Sequence, residues 1–272
     1  MINRIFNIVT IIQARTGSTR LPGKVLLPAA CKPLLLLMAE RVSRSKLAGT
    51  IVIATTTEPE DDAIEDLCFN NDLNCFRGST LDLLDRHFKV AIKYSADIVL
   101  KIPSDCPLID PEIIDNVIKY YIRNRDIYDY VSNLHPQSYP DGNDVEVFSF
   151  NALYKAYKQA VKNYEREHTT PYIWNNPDLF KIGNYEWKTA TDLSKSHRFV
   201  LDYPADYEFI RSVYDELYYA DSSFTLYDIL DLLNIKPGIK DINSHLNGKS
   251  WYDAHRNDFN KPVHNRKQLT GV

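Results

Sequence analysis

Between Gln13 and Lys24 the chain turns from apolar to polar within a dozen positions. Arg15, Arg20 and Lys24 bring three cations, Gln13, Ser18 and Thr19 bring neutral hydrogen-bonding groups, and Gly17, Pro22 and Gly23 block regular structure. Backbone N–H groups of such a loop can turn inward and its cations can offset charge, which is what a polyphosphate requires. Taken alone, the same composition also describes a solvated basic turn. Two carboxylates far along the chain sit in similar settings. Asp105 follows the apolar run DIVLKI in Ser104-Asp105-Cys106-Pro107, and Asp202 ends the run RFVL ahead of Tyr203-Pro204. Asp105 reads either as an Asx-type turn residue or as a group facing a ligand. Asp206 falls in the first turn of a predicted helix, where a carboxylate serves the helix dipole, so Asp202 is the better ligand candidate. Magnesium takes hard oxygens and keeps waters, so one or two carboxylates plus phosphates suffice to hold it.

The loop does not follow the two familiar phosphate motifs. Five residues separate Gly17 from Gly23, and Val25, without a hydroxyl, follows Lys24, whereas a P-loop has four residues there and then Ser or Thr. There is also no G-x-G-x-x-G. Any phosphate would be held mainly by side-chain cations.

Alternating strand and helix signals position these groups. Ile5–Ile12 reads as a buried first strand that delivers the basic loop. Leu34–Ser45 is predicted helical, Thr50–Thr55 a strand, and Pro59 opens an acidic helix start. Cys75–Phe76 is a brief strand before Arg77-Gly78-Ser79. Thr80 is expected to cap a helix burying Leu81, Leu84, Phe88 and Ala91. Asp97–Ile102 is a further strand, and Asp110-Pro111 opens another helix. This order predicts an α/β fold, a doubly wound, mostly parallel Rossmann-like sheet with helices on both faces. Ligands of such sheets lie beyond the carboxyl ends of the strands, and the basic loop, Thr55–Thr57, Arg77–Ser79 and Ser104–Pro107 all follow strand ends. From about Tyr130 the pattern changes: a strand over Val145–Phe150, helices over Asn151–Lys162, Pro171–Asn176, Pro204–Leu217 and Leu226–Leu233, and extended segments over Leu179–Tyr185 and Phe199–Leu201.

Two polar clusters lie in that later half. Tyr139-Pro140-Asp141-Gly142-Asn143-Asp144-Val145-Glu146 precedes and enters a strand; Glu165-Arg166-Glu167-His168-Thr169-Thr170-Pro171 precedes a helix. Tyr139, Asp141, Glu146, Glu165, His168 and Thr169 offer the donors and acceptors a polyhydroxylated ligand needs. Asp141-Gly142 reads equally as a tight turn and His168 as a helix-start hydrogen bond.

The chain has 272 residues, 44% of them hydrophobic, enough for one sizeable domain with an appendage. We assign residues 1–248 to that domain, with about 130–195 as a substrate and dimer region, and 249–272 to a polar tail. No apolar run reaches membrane-spanning length, and the amino-terminal apolar stretch runs into Gln13 and Arg15 rather than a cleavage site. The four cysteines lack zinc spacing, as expected of a reduced, cytoplasmic protein. A net charge of −4 argues against nucleic acid as a partner and makes the basic loop a local feature.

The stretch IIQARTGSTRLPGK resembles the cytidylyltransferases that make CMP-activated sugars, and its branch resembles the spore-coat polysaccharide type. The likeness extends from Ile8 to Leu217, and both later clusters match motifs of that branch. It implies transfer of CMP from CTP to a sugar or sugar-acid acceptor with release of pyrophosphate, dependent on Mg2+, by a homodimer. It further implies that Arg15, Lys24 and Asp105 act in catalysis, and that Gln13, Ala14, Gly17, Ser18, Arg77, Gly78 and Ser79 join them around the nucleotide. Asp105 and Asp202 would hold the metal, and the later clusters would line the acceptor pocket. Two departures stand out: Pro103-Ser104 replaces the usual Thr-Gly, and Cys31-Lys32-Pro33 replaces Gly-Lys-Pro, where cysteine suits a tight turn less well than glycine. A glycosyltransferase consuming a nucleotide sugar, and a nucleotide-binding subunit without turnover, are the competing expectations.

Overall fold

A computed structural model describes residues 6–189 and 191–249. In chain order its elements are β1 (Ile8–Gln13), β2 (Pro28–Ala29), β3 (Lys32–Pro33), α1 (Leu34–Ser43), β4 (Thr50–Thr56), α2 (Asp62–Asn70), β5 (Asn74–Gly78), α3 (Leu83–Lys93), β6 (Ile98–Pro103) and α4 (Pro111–Arg123). There follow β7 (Tyr130–Ser132), β8 (Glu146–Ser149), α5 (Phe150–Gln159), α6 (Asn163–His168), α7 (Pro171–Trp174), β9 (Ile182–Asn184), α8 (Pro204–Leu217), α9 (Leu226–Ile235) and α10 (Pro237–Asp241).

Seven strands form one sheet in the order β5-β4-β1-β6-β8-β7-β9. β5, β4, β1 and β6 run parallel, and β8 alone opposes its neighbours β6 and β7. The alternation of strand residues sorts the core into two layers. On one face Ile8, Ile12, Ile53 and Leu100 pack with apolar residues of α1, α4, α8 and α9. On the other Val9, Ile11, Val52 and Val99 pack with Leu84, Phe88 and Ala91 of α3 and Ala152, Leu153 and Ala156 of α5. Because β1 lies between β4 and β6, the loops leaving β1 and β6 meet: Gln13 pairs in register with Ala54 on one side and Pro103 on the other. The mostly parallel, doubly wound architecture is the one the sequence predicts.

Several local expectations change. The cap of α3 is Asp82, whose side chain accepts from the Asp85 amide, and Leu81 is 84% exposed. A carboxylate two residues nearer the apolar run wins over the hydroxyl of Thr80, and Leu81 falls outside the helix. β7 is a strand the sequence reading lacked, too short to show a period. Cys31 does adopt a left-handed turn, with φ 61° after Ala30 at 45°, so the β2–β3 hairpin forms without its glycine. Phe199–Leu201 is extended but joins the sheet through no ladder; a single bridge ties Arg198 to Asp141. Gly142 permits that bridge: its φ is +100°, and a Cβ there would lie 2.6 Å from backbone atoms of Phe199 and Val200. Residues 250–272 of the proposed tail lie outside the described residues.

Candidate active site

The root of the basic loop is fixed by one carboxylate. Asp61, buried before α2, accepts from the Thr16 amide and hydroxyl at 2.7 Å each and from the Thr56 hydroxyl at 2.5 Å. These bonds hold its carboxyl below the usual range against the opposing effect of burial. Asp61 thereby joins the loop after β1 to the end of β4, while Arg15, Gly17, Thr19 and Arg20 beyond that anchor stay exposed.

Lys24 folds back from the far end of the loop to the two distant carboxylates. Its ammonium lies 2.8 Å from Asp202, 3.5 Å from Asp105 and 2.6 Å from the Leu201 carbonyl. Arg20 reaches the same Asp202 oxygen at 2.8 Å. The backbone closes the arrangement, since the Leu201 amide donates to the Asp105 carbonyl at 2.8 Å. Burial acts against these charges, but attraction prevails: Lys24 is raised by Asp105 and Asp202, and Asp202 is lowered by Lys24 and Arg20. Three segments more than 80 residues apart thus meet around one cation, as the motifs require. Asp206 has the structural role expected of it and more: fully buried, it takes Arg198 at 2.9 and 3.1 Å, the amides of Asp202 and Tyr203, and Asn243.

A cavity of about 480 Å³ opens beside this cluster. Gln13, Ala14, Arg15, Gly17, Ser18, Lys24 and Asp105 of the expected nucleotide set line it, with Asp202. Arg77, Gly78 and Ser79 do not, although the neighbouring Thr80 does. The Arg77 guanidinium turns to the other side of β5, where it pairs with Asp62 at 2.6 Å and Glu65 at 2.8 Å and donates to the carbonyls of Thr56 and Glu58. Two carboxylates and two carbonyls at the start of α2 satisfy it there.

The acceptor candidates divide similarly. Asp141, Glu146 and His168 line the cavity; Tyr139, Glu165 and Thr169 do not. Tyr139 stacks on Trp187 at 5.2 Å, facing a separate cleft. Glu165 accepts from the amides of Val161 and Lys162 and so starts α6. Thr169 is buried, with φ 71° and its hydroxyl 3.3 Å from His87. His168 ends α6 rather than opening a helix, so it enters the cavity from the helix terminus. Glu146 forms a buried ion pair with Lys101 and accepts from the Tyr130 hydroxyl at 2.6 Å, which keep its carboxyl low despite burial. Asp141 is pushed up to about 7 by burial, reinforced by Asp105, Asp202 and Asp206 and opposed by Arg198 at 3.3 Å. Asp144 is also raised well above the usual carboxylate range, by burial and then by Asp141.

Sequence reasoning missed Arg86, Lys101 and Arg198, which line the cavity, and gave Asp144 and Thr170, which also line it, only as members of the later clusters. Lys101 carried a signal, a lone charge inside a buried strand. Arg198 carried another, acids four and eight positions on. Arg86 follows Asp82 by four positions, but that carboxylate goes to Arg166 at 2.5 Å.

Asp105 and Asp202 share the cation of Lys24, and oxygen ligands of this kind are what a hard divalent ion takes together with waters and phosphate oxygens. Among the described residues no group of three His, Cys, Asp or Glu side chains could hold a metal by itself, so the ligand would have to complete the shell. No described helix is long and apolar enough to cross a membrane.

The family model described as cytidylyltransferase matches residues 9–226. An uncharacterized protein of Methanocaldococcus jannaschii is 39% identical over 91% of this chain and 98% of its own length. The spore coat polysaccharide biosynthesis protein SpsF of Bacillus subtilis is 34% identical over 77% of this chain and 87% of its own. Among solved structures, a cytidylyltransferase from Leptospira borgpetersenii serovar Hardjo-bovis superposes with a TM-score of 0.81 at 34% identity, covering 86% of this chain and 97% of that one. The chain belongs to the cytidylyltransferase family, in its SpsF-like branch.

Proposed function

We propose that this chain transfers CMP from CTP to a hydroxyl of a sugar or sugar acid and releases pyrophosphate, in the synthesis of a surface glycan. The observation that supports the reading best is the Lys24 ammonium shared by Asp105 and Asp202 at the far end of a loop that also carries Arg15 and Arg20. Three cations suit a triphosphate, and two converging carboxylates suit the Mg2+ that accompanies one. Bound there by Asp105 and Asp202, Mg2+ would polarise the phosphoryl oxygens and neutralise charge on them.

The acceptor oxygen forms a bond to the α-phosphorus as the bond from that phosphorus to the pyrophosphate oxygen breaks. Arg15, Arg20 and Lys24 stabilise the charge gathering on the leaving group, and positioning with charge neutralisation supplies most of the rate. Lys24 must exchange its carboxylates for phosphate oxygens. The hydroxyl proton goes to a base on the acceptor side; Asp141 faces the cavity and titrates near neutrality, which suits it to that part.

The test is pyrophosphate release with CTP, Mg2+ and a panel of sugars and sugar acids. Lys24→Ala and Asp202→Ala are each expected to lower turnover about 10²- to 10³-fold while circular dichroism shows an intact fold. Pyrophosphate release near the wild-type rate from both variants would refute the assignment.

A further inference from the structure

The chain returns to the cavity at the end of its described residues. Lys249 lines it, whereas the other lining residues all precede Tyr203. A set of bonds brings it there. The Asn243 side chain donates to the Arg198 carbonyl at 2.9 Å and to Asp206 at 3.0 Å, Leu246 is buried, and the Asn247 side chain donates to the Ser196 carbonyl at 3.2 Å. Gly248, at φ +74°, then turns the backbone through a conformation open to glycine. Nη1 of Arg198 donates to the Lys249 carbonyl at 2.9 Å. Residues 243–249 are thus fastened along the segment that ends in Asp202.

Arg198 is buried and already holds Asp206 and Asp141. Its further charge-assisted bond goes to the main chain of Lys249 and so fixes where that side chain starts. The Lys249 ammonium lies 5.6 Å from the centroid of the Tyr203 ring, and the Arg20 guanidinium lies 5.5 Å from the same centroid. A cation of the basic loop and one from the far end of the domain thereby share an aromatic platform beside Asp202. Arg20 is paired with Asp202, but Lys249 makes no ion pair among the described residues. Lys249 is exposed, so water solvates its charge and a ligand meets it without breaking an ion pair.

The surroundings decide which anion suits it. Toward β8 the cavity wall carries Asp141, Asp144 and Glu146, carboxylates that disfavour a negative group there. Toward the loop lie Arg20 and Lys24, the cations assigned above to the leaving phosphates. We propose that Lys249 is a further cation of the polyphosphate site, donating to the phosphates that leave as pyrophosphate, and that Arg198 positions it through the main chain. The nucleotide site is then completed from the carboxy-terminal end of the domain. The assignment rests on the cytidylyl-transfer reading above and adds a residue to it. No covalent bond is made or broken at Lys249: its ammonium binds the leaving group and stabilises the charge that gathers there.

Equilibrium binding of CTP, CMP and pyrophosphate with Mg2+ tests this on the full chain, alongside pyrophosphate release. Lys249→Met keeps the main-chain bond to Arg198 and removes only the ammonium. It is expected to weaken CTP and pyrophosphate binding about 3- to 10-fold, the range of one charge-assisted hydrogen bond at an exposed site, and to leave CMP affinity unchanged. Lys249→Arg is expected to bind as wild type does, and added salt to narrow the gap between wild type and Lys249→Met. The melting temperature of the free protein should move by less than about 2 °C, since the side chain is exposed. Unchanged affinity for CTP and pyrophosphate in Lys249→Met overturns the proposal, as does an equal loss for CMP. So does a variant that binds CTP as wild type does and instead raises the acceptor KM, which would assign the cation to the acceptor. A loss confined to CTP and pyrophosphate, in a protein whose wild type releases pyrophosphate to no acceptor, supports the cation assignment and counts against the transfer reading. If wild type binds neither CTP nor pyrophosphate, both fall.

Discussion

The two walls of the cavity are built on opposite principles. On the side of β6 and α8 every charge is already matched: Lys24 and Arg20 with Asp202, and Arg198 with Asp206 and Asp141. On the side of α3 polar atoms are buried and unmatched, those of Gln13, Arg86 and His87 Nε2 among them. A ligand entering at the first wall must persuade ions to change partners. The first wall therefore contributes to holding the fold together, and the unmatched atoms of the second detract from stability.

Opposite signs follow for substitutions in the two walls. Arg198→Met leaves Asp206, which is 0% exposed, without its cation, and is expected to lower stability by about 3–5 kcal/mol, measured by urea unfolding. Arg86→Met, which removes a buried guanidinium two of whose nitrogens make no hydrogen bond among the described residues, is expected to raise the melting temperature by about 2–4 °C, and a fall in both variants would erase the distinction. Acid sharpens it further. Burial holds His87 down to about 3, well under the ordinary histidine value. The unfolded chain takes up that proton first, so the stability contributed by neutral His87 is whole above about pH 6.5 and drains away as pH falls toward 3, by up to about 1.4 kcal/mol per pH unit. His87→Gln is expected to flatten that slope in urea midpoints measured from pH 7 to 4, and a slope equal to wild type would show that His87 contributes nothing to it. Cys31→Gly, in neither wall, sets the scale: relief of the left-handed strain should add about 0.5–1 kcal/mol and leave CTP affinity unchanged.

Legibility in the sequence follows the same division. The parallel layers were readable because apolar periodicity is local. Asp105 and Asp202 were readable because each follows an apolar run and sits in a motif, and Lys24 because it closes a triply basic loop. The α3 wall was not: Arg86 has a carboxylate, Asp82, four positions earlier, and only the packing of α6 on α3 shows that Arg166 takes it. Arg77 shows the converse, a conspicuous cation after a strand that the start of α2 claims for itself. Strand ends foretell where a site lies, but which partner a long side chain finds depends on elements distant in the chain.

One interior contact ties the ends of the domain together. Arg41 of α1, 2% exposed, has no carboxylate partner among the described residues. It donates to the carbonyls of Leu108, Ile109 and Phe224, and its guanidinium lies 4.2 Å above the Phe224 ring. A ribosome that has released α1 and the first strands has thus exposed a charge whose last acceptor is encoded some 180 residues later. Shortened chains ending before Phe224 leave that buried guanidinium short of an acceptor and are expected to fold less stably than the full chain, whatever motifs they retain.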